Sequence, residues 1–388
     1  MTRATAIWAC FCLLIACSKL QKANGCTLCA SVKLVSTFRE DFSNPLVNFI
    51  ASGRLGKATI HPNGSGVTEF SVGQVLLKPA DWNDQQDLAF DKYLPGGETN
   101  PDAITILLGN WQNGRLIPIR AIRLESKSNL SIIRNQILQK PVPDARFLAD
   151  IFPRLSLPEP ELANDAFMEW AKAEDSLVTI AGRTLAPNSL RSLLNNKATP
   201  SERLGLFSFL LGCCGNREAD SPFFEHTLQS QEPRWRSCRD GLLAGLVLLN
   251  PSLGWKWASE SLSSLPTRAL TERLATLRAL KMLHSTGIKE YREVERPEML
   301  AVIEKSLGQK DIADLAIDYL RNWKQVRLEK QVISSFPAKG EAPLLSRSVL
   351  QYAIAFRARP ACADFLEKVK IEQPDLLREI EEIYGTVP

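Results

Sequence analysis

The most conspicuous chemistry in this chain is a pair of cysteines, Cys26-Thr-Leu-Cys29. Two thiols at that spacing can close a small disulfide, cycle as a redox pair, or give two of the four ligands of a zinc ion. A thioredoxin-like site sets its pair at the start of a helix after a strand, and here only an apolar leader precedes Cys26. Zinc needs two more ligands, yet no second Cys-x-x-Cys and no ligand-spaced pair of histidines follows. A c-type haem attachment needs histidine after the second cysteine, where Ala30 stands. The reading that asks least of the sequence is a structural disulfide, Cys26 with Cys29 or either with the strands that follow.

The other candidates are bland. Cys213-Cys214 reads as apolar filling at a helix end. His61, His226 and His284 are far apart, and His284 continues a leucine stripe. Trp255 and Trp257 point to different helix faces, one buried and one partly exposed. Glu379-Ile-Glu-Glu382 is a solvated helix face. No nucleophile elbow, zincin motif, phosphate loop or dinucleotide fingerprint occurs. The expectation is a protein that is not an enzyme and takes no cofactor and no metal.

The first residues read as an address. Arg3 precedes an unbroken apolar stretch, Ala6 to Ala16, too short to span a bilayer, which takes roughly 20 residues. Leu14-Ile-Ala-Cys17 matches a bacterial lipobox, which would make Cys17 the lipidation site after a 1–16 signal. Ala23-Asn-Gly25 fits ordinary cleavage of a 1–25 signal peptide. Both predict export, to the periplasm or cell envelope or beyond the cell, with a lipid tether in the first case. The cysteines beyond Cys17 then sit where disulfides form.

The chain of 388 residues carries a formal charge of +4. Arg3, Lys19 and Lys22 belong to the leader, and without them 44 basic residues face 43 acidic ones. With no basic run, nucleic acid is excluded as a partner.

Two textures follow the leader. From Val47 to Leu124 short apolar alternations are cut by turn residues, as at His61-Pro-Asn-Gly-Ser-Gly66. In Val67–Leu77 the parity shifts at Gly73, as a bulge allows. Pro118 marks an edge strand, and 79–101 reads as a long loop. Beyond 140 the period becomes helical: Ala163, Phe167, Trp170 and Ala171 share a face. Thr199-Pro-Ser-Glu202 reads as a capping box for a helix stopped by a left-handed Gly215. Gly241–Leu249 is apolar all round and should be central. Further stripes start at Pro266, run through Ile312, Ala316, Tyr319 and Trp323, and end with Leu376, Ile380 and Ile383. Strong stripes recur every ~35 to 45 residues, near the HEAT period. The expected fold is α+β in separate domains: a small antiparallel β-barrel over 26–128, a linker over 129–143 and an α-solenoid-like array over 144–388.

The N-terminal part resembles netrin-like and TIMP-like domains. The resemblance rests on Cys26-x-x-Cys29, the strands around 48–60, and Phe70, Val72, Val75 and Leu76 with Leu77 before Lys78. It implies an OB-like barrel. It does not carry protease inhibition, because the family's Cys-x-Cys opening and later disulfide partners are missing. The whole resembles exported bacterial proteins that join such a segment to HEAT-like helices, through Asp165–Trp170 and Thr199–Gly215. The expected function is non-catalytic binding or scaffolding of a protein partner in the envelope. The alternative is thiol-redox chemistry at Cys26 and Cys29.

Overall fold

The computed structural model describes residues 25–29, 32–95, 103–263, 268–288 and 297–384. The expected leader with Cys17, and the helix start expected at Pro266, lie outside them. The fold is α+β, a five-stranded antiparallel sheet followed by many helices. The chain divides into two compact units, 33–171 and a helical one that joins 1–32 to 172–388.

The sheet unit opens with α1 (Phe38–Phe42), whose capping box is closed by Thr37 and Glu40. Strands β1 (Phe49–Ile60), β2 (Gly66–Leu77), β3 (Asp87–Phe90), β4 (Ile104–Gln112) and β5 (Arg115–Leu124) follow, in the sheet order β3-β2-β1-β4-β5. Ser52 pairs with Gln74 and Gly53 with Val72, so Gly73 is the bulge that its parity shift implied. Asn113 and Gly114, both at positive φ, turn β4 into β5. β5 is an edge, as Pro118 required.

The segment 79–101, expected to be loop, contains β3. Leu88 and Phe90 alternate into the core there, a period of two too short to stand out from its polar surroundings. One face of the sheet gathers Phe49, Phe70, Trp82, Leu107 and Trp111. The opposite face gathers Ile50, Ile106, Leu108 and Ile122, covered by Phe38, Ile133, Ile137 and Leu162. Ile133 and Ile137 belong to α2 (Leu130–Gln139), which occupies the stretch expected to be linker. Its apolar residues bury on the sheet, so packing ends this unit after α3 (Ala145–Ile151) and within α4 (Pro160–Lys172), not at residue 128.

The helical unit begins with α5 (Asp175–Gly182), α6 (Pro187–Asn195) and α7 (Ser201–Cys214). Next come α8 (Arg217–Gln229), α9 (Pro233–Arg236), α10 (Arg239–Leu249), α11 (Pro251–Ser261) and α12 (Leu270–Ser285). The last are α13 (Pro297–Leu307), α14 (Ala313–Asn322), α15 (Glu329–Ser334), α16 (Pro343–Ala355), α17 (Pro360–Glu372) and α18 (Pro374–Tyr384). One row of helices runs α7, α10, α12, α14, α16, α18, each packed on the next. A second row runs α11, α13, α15, α17. Prolines at first turns separate many of these helices, because a missing N–H costs nothing there.

Helix α10 is buried from Arg239 to Val247, as its all-round apolarity implied. Its glycines let α7 approach at backbone distance: a Cβ on Gly241 would lie 2.0 Å from the Gly205 carbonyl oxygen, and one on Gly212 2.3 Å from Gly245 Cα. Two expected helix ends differ. Thr199 donates its hydroxyl to the Leu193 carbonyl (2.6 Å), so Pro200 stands at the α7 N-cap without a side-chain cap. Gly215 is extended, with Asp220 Oδ2 2.7 Å from where its Cβ would be. In α18 the inward residues are Leu377 and Ile380, while Ile383 is exposed.

Candidate functional site

The Cys26–Cys29 segment folds as a 3₁₀ turn, Cys29 N–H donating to the Cys26 carbonyl (3.0 Å). All four residues are buried, and the turn packs on α7 and α12. Thr27 fixes it. Its backbone N–H donates to Asp175 Oδ1 (2.8 Å) and its hydroxyl to Oδ2 (2.6 Å). A carboxylate that takes two charge-assisted bonds from one residue is a specific anchor. Burial raises the Asp175 carboxyl, and the two Thr27 bonds oppose that rise.

The structure therefore brings Cys26 and Cys29 together, as free thiols. The hydrogen bond with Cys29, then burial, then the charges of Cys29 and Asp175 push the Cys26 thiol well above its ordinary value. A reactive thiol needs the opposite environment, electropositive and open. The turn is built as an anchor.

Beside it lies a polar cavity of about 530 Å³, lined by Thr27, Glu202, Ser237, Cys238, Asp240 and Arg278. Two of its ions engage each other: Asp240 accepts from its neighbour Gly241 N–H (2.9 Å) and from Arg278 Nε (2.7 Å). Burial and the Asp240 charge push the Cys238 thiol up to about 12.

A second buried aspartate serves the sheet unit. Asp165 on α4 accepts the Phe38 N–H at 2.6 Å, at the first residue of α1. One turn on, Glu169 receives Arg39 through Nε (3.1 Å) and Nη2 (3.0 Å). Burial lifts the Asp165 carboxyl to about 6; Glu169 adds to the rise, and the Phe38 N–H and Arg154 resist it.

Six charged pairs of the helical unit form a series that sequence reading missed. Arg191 on α6 reaches Asp220 on α8 (2.7 and 2.9 Å), and Arg278 on α12 reaches Asp240 on α10. Arg273 on α12 grips Asp311 ahead of α14 (2.8 and 2.6 Å). Lys310 reaches Glu341 (2.7 Å), Arg359 reaches Glu329 (2.9 Å) and Arg347 reaches Glu379 (2.8 Å). The partners are 29 to 38 residues apart, and all but the Arg191 pair span one step of a helix row. Arg273, Arg359 and Lys310 hold Asp311, Glu329 and Glu341 below the usual carboxylate range. The signal was available as a basic residue recurring one repeat from an acid.

The lesser candidates stay apart. His61 sits in the β1–β2 turn, and His284 stacks on Trp323 at 4.2 Å. Trp255 is buried and Trp257 half-buried. Burial raises both Cys213 and Cys214. Among the described residues no group of His, Cys, Asp and Glu is placed to hold a metal, and no helix is long and apolar enough to cross a membrane.

No family model matches the chain, and no curated protein does. Human deoxyhypusine hydroxylase in complex with glycerol is a solved structure that matches at 14% identity and a TM-score of 0.26, over 62% of this chain and 95% of that one. A likeness this slight carries no argument about fold or activity.

Proposed function

We propose that this chain is an exported, non-catalytic binding and scaffolding protein that offers a HEAT-like helical array to another protein of the cell envelope. The observation that carries the reading is the series of ion pairs one row-step apart along both helix rows, Arg278 with Asp240, Arg273 with Asp311, Arg347 with Glu379 and Arg359 with Glu329. These pairs commit charged side chains to holding successive helices in register, and stacked helix pairs give extended surfaces for partners. The strand order supports an OB-like barrel ahead of the array. β2 and β4 flank β1, and β3 and β5 lie outermost, as in such a barrel parted between β3 and β5. That agrees with the netrin-like and TIMP-like resemblance. Export by either leader, including lipidation at Cys17, fits a partner in that compartment.

The test is photo-crosslinking in native envelopes, with the reactive group at exposed positions of the array, such as Lys256 or Lys281, or of the sheet, such as Arg54. One protein captured from array positions and not from Arg54 supports the reading. Absence of capture from every array position overturns it, as does enzymatic turnover abolished by Cys29→Ser. Thiol titration of the folded protein should find Cys26 unreactive until denaturation.

A further inference from the structure

Around the start of α10 positive charge outruns its compensation. Arg239 is only 7% exposed, yet it carries a full guanidinium. Its Nη1 pairs with Glu272, its Nη2 donates to the Ser230 carbonyl (3.2 Å), and its Nε has no partner. Arg268 approaches the same Glu272 carboxylate at 3.6 Å and lies 5.9 Å from the Trp257 ring centre. Arg236 is exposed at the end of α9. Burial, then the charges of Arg236 and Arg268, lower the Arg239 pKa. On the same short helix Arg234 covers Trp235 at 4.7 Å. A cavity of about 30 Å³ opens between Arg239, Trp257, Ser261, Arg268, Glu272 and Thr276. That is room for a carboxylate oxygen or two, since one water needs ~10–15 Å³ by the same measure.

We propose that this arginine–tryptophan cluster docks an acidic peptide segment, one Asp or Glu carboxylate seated between Arg239 and Arg268 and the adjoining chain lying on Trp257. Charge complementarity selects the occupant. Glu272 is one carboxylate shared by two guanidinium groups, so a second completes the set. Glu272 also shows which group the space accommodates, because its carboxylate already bridges two of the arginines. A phosphate dianion would bring twice the charge against Glu272. Partly exposed tryptophan and arginine are the side chains that dominate protein interfaces. The proposal rests on the protein-binding reading and names the chemistry of its partner.

The experiment is calorimetric titration of the intact protein, with tryptophan fluorescence in parallel. Four probes are compared: an Asp/Glu-rich peptide, its Asn/Gln counterpart, inorganic phosphate, and vesicles containing anionic lipid. The acidic peptide should bind and weaken as salt rises, and the amide peptide should not bind. Arg268→Gln should weaken the acidic peptide about tenfold, as the loss of one charge-assisted contact, and Arg236→Gln, which removes an exposed charge outside the cavity, by less. Arg236 is exposed, so its variant folds, and Trp257→Leu should remove the fluorescence change. Equal binding of acidic and amide peptides, an unchanged affinity in both arginine variants, or binding of phosphate or vesicles in place of the peptide would overturn the proposal. If array crosslinking captures a partner while the acidic peptide fails to bind, this site falls and the scaffold reading stands. If the peptide binds while no partner is captured, the reverse holds.

Discussion

Asp165 and Asp175 lie on consecutive helices, α4 and α5, and each accepts the backbone N–H of a residue near the start of the chain. Asp175 takes two bonds from Thr27 and has no second carboxylate among the groups that shift it. Asp165 takes one from Phe38 and has Glu169 a turn away, so its carboxyl reaches about 6. Burial is common to both; what differs is the number of donors and the nearest like charge. A buried carboxylate stabilises a fold only to the extent that donors replace the water it lost. By that measure Asp175 is a fastener, and Asp165 is one that holds best when protonated.

Removing the better-supplied aspartate should have the largest effect. Asp175→Ala strands the Thr27 N–H and hydroxyl in the interior and should cost the helical unit about 3–4 kcal/mol in urea unfolding. It should also expose the Cys26–Cys29 turn to thiol reagents. Asp175→Asn keeps one acceptor and should cost less than half as much. A loss below about 1 kcal/mol for the alanine variant would show that the turn is held by packing alone.

Asp165 should respond with the opposite sign. Its folded value, about 6, lies above the ordinary 3.8, so the folded sheet unit holds the extra proton between those limits. Stability should therefore rise as the pH falls from 7 through 6 towards 4, by an amount on the order of 2–3 kcal/mol. Asp165→Asn, which still accepts from Phe38 N–H, should abolish that slope and stabilise the unit at pH 7. A wild-type profile that is flat between pH 7 and 4.5 would contradict this.

How much of this was legible depends on the range of the forces involved. The α10 helix, the Gly73 bulge and the edge position of β5 follow from local sterics and periodicity, and local sequence announced them. Strand β3 did not announce itself, because only Leu88 and Phe90 mark it and its partner lies on β2. Helix α2 was passed over because its burial is decided by a sheet that precedes it. The spacing of Cys26 and Cys29 suggested a disulfide, whereas the structure holds two free thiols, and the residue that fixes their turn had no local signal. Thr27 to Asp175 is a contact across 148 residues, and no local pattern encodes it. The same holds for Arg239 and Arg268 around Glu272, assembled from α10, α12 and the approach to α12.

The smallest expected effects come from the pairs between helix rows, and they should grade with burial. Asp220 is 4% exposed and Arg191 35%; its carboxylate is raised by burial, yet the Arg191 bonds outweigh that and leave it low. A double-mutant cycle on Arg191→Met and Asp220→Asn should return a coupling of about 1 kcal/mol, fading as acid protonates Asp220. Lys310 and Glu341 are 69% and 55% exposed at a comparable 2.7 Å, and water screens them, so the same cycle there should return no measurable coupling. Equal couplings at both sites would mean that distance alone sets their strength. The contrast drawn between Asp175 and Asp165, in which what surrounds a carboxylate decides its worth, would then fail for the surface as well.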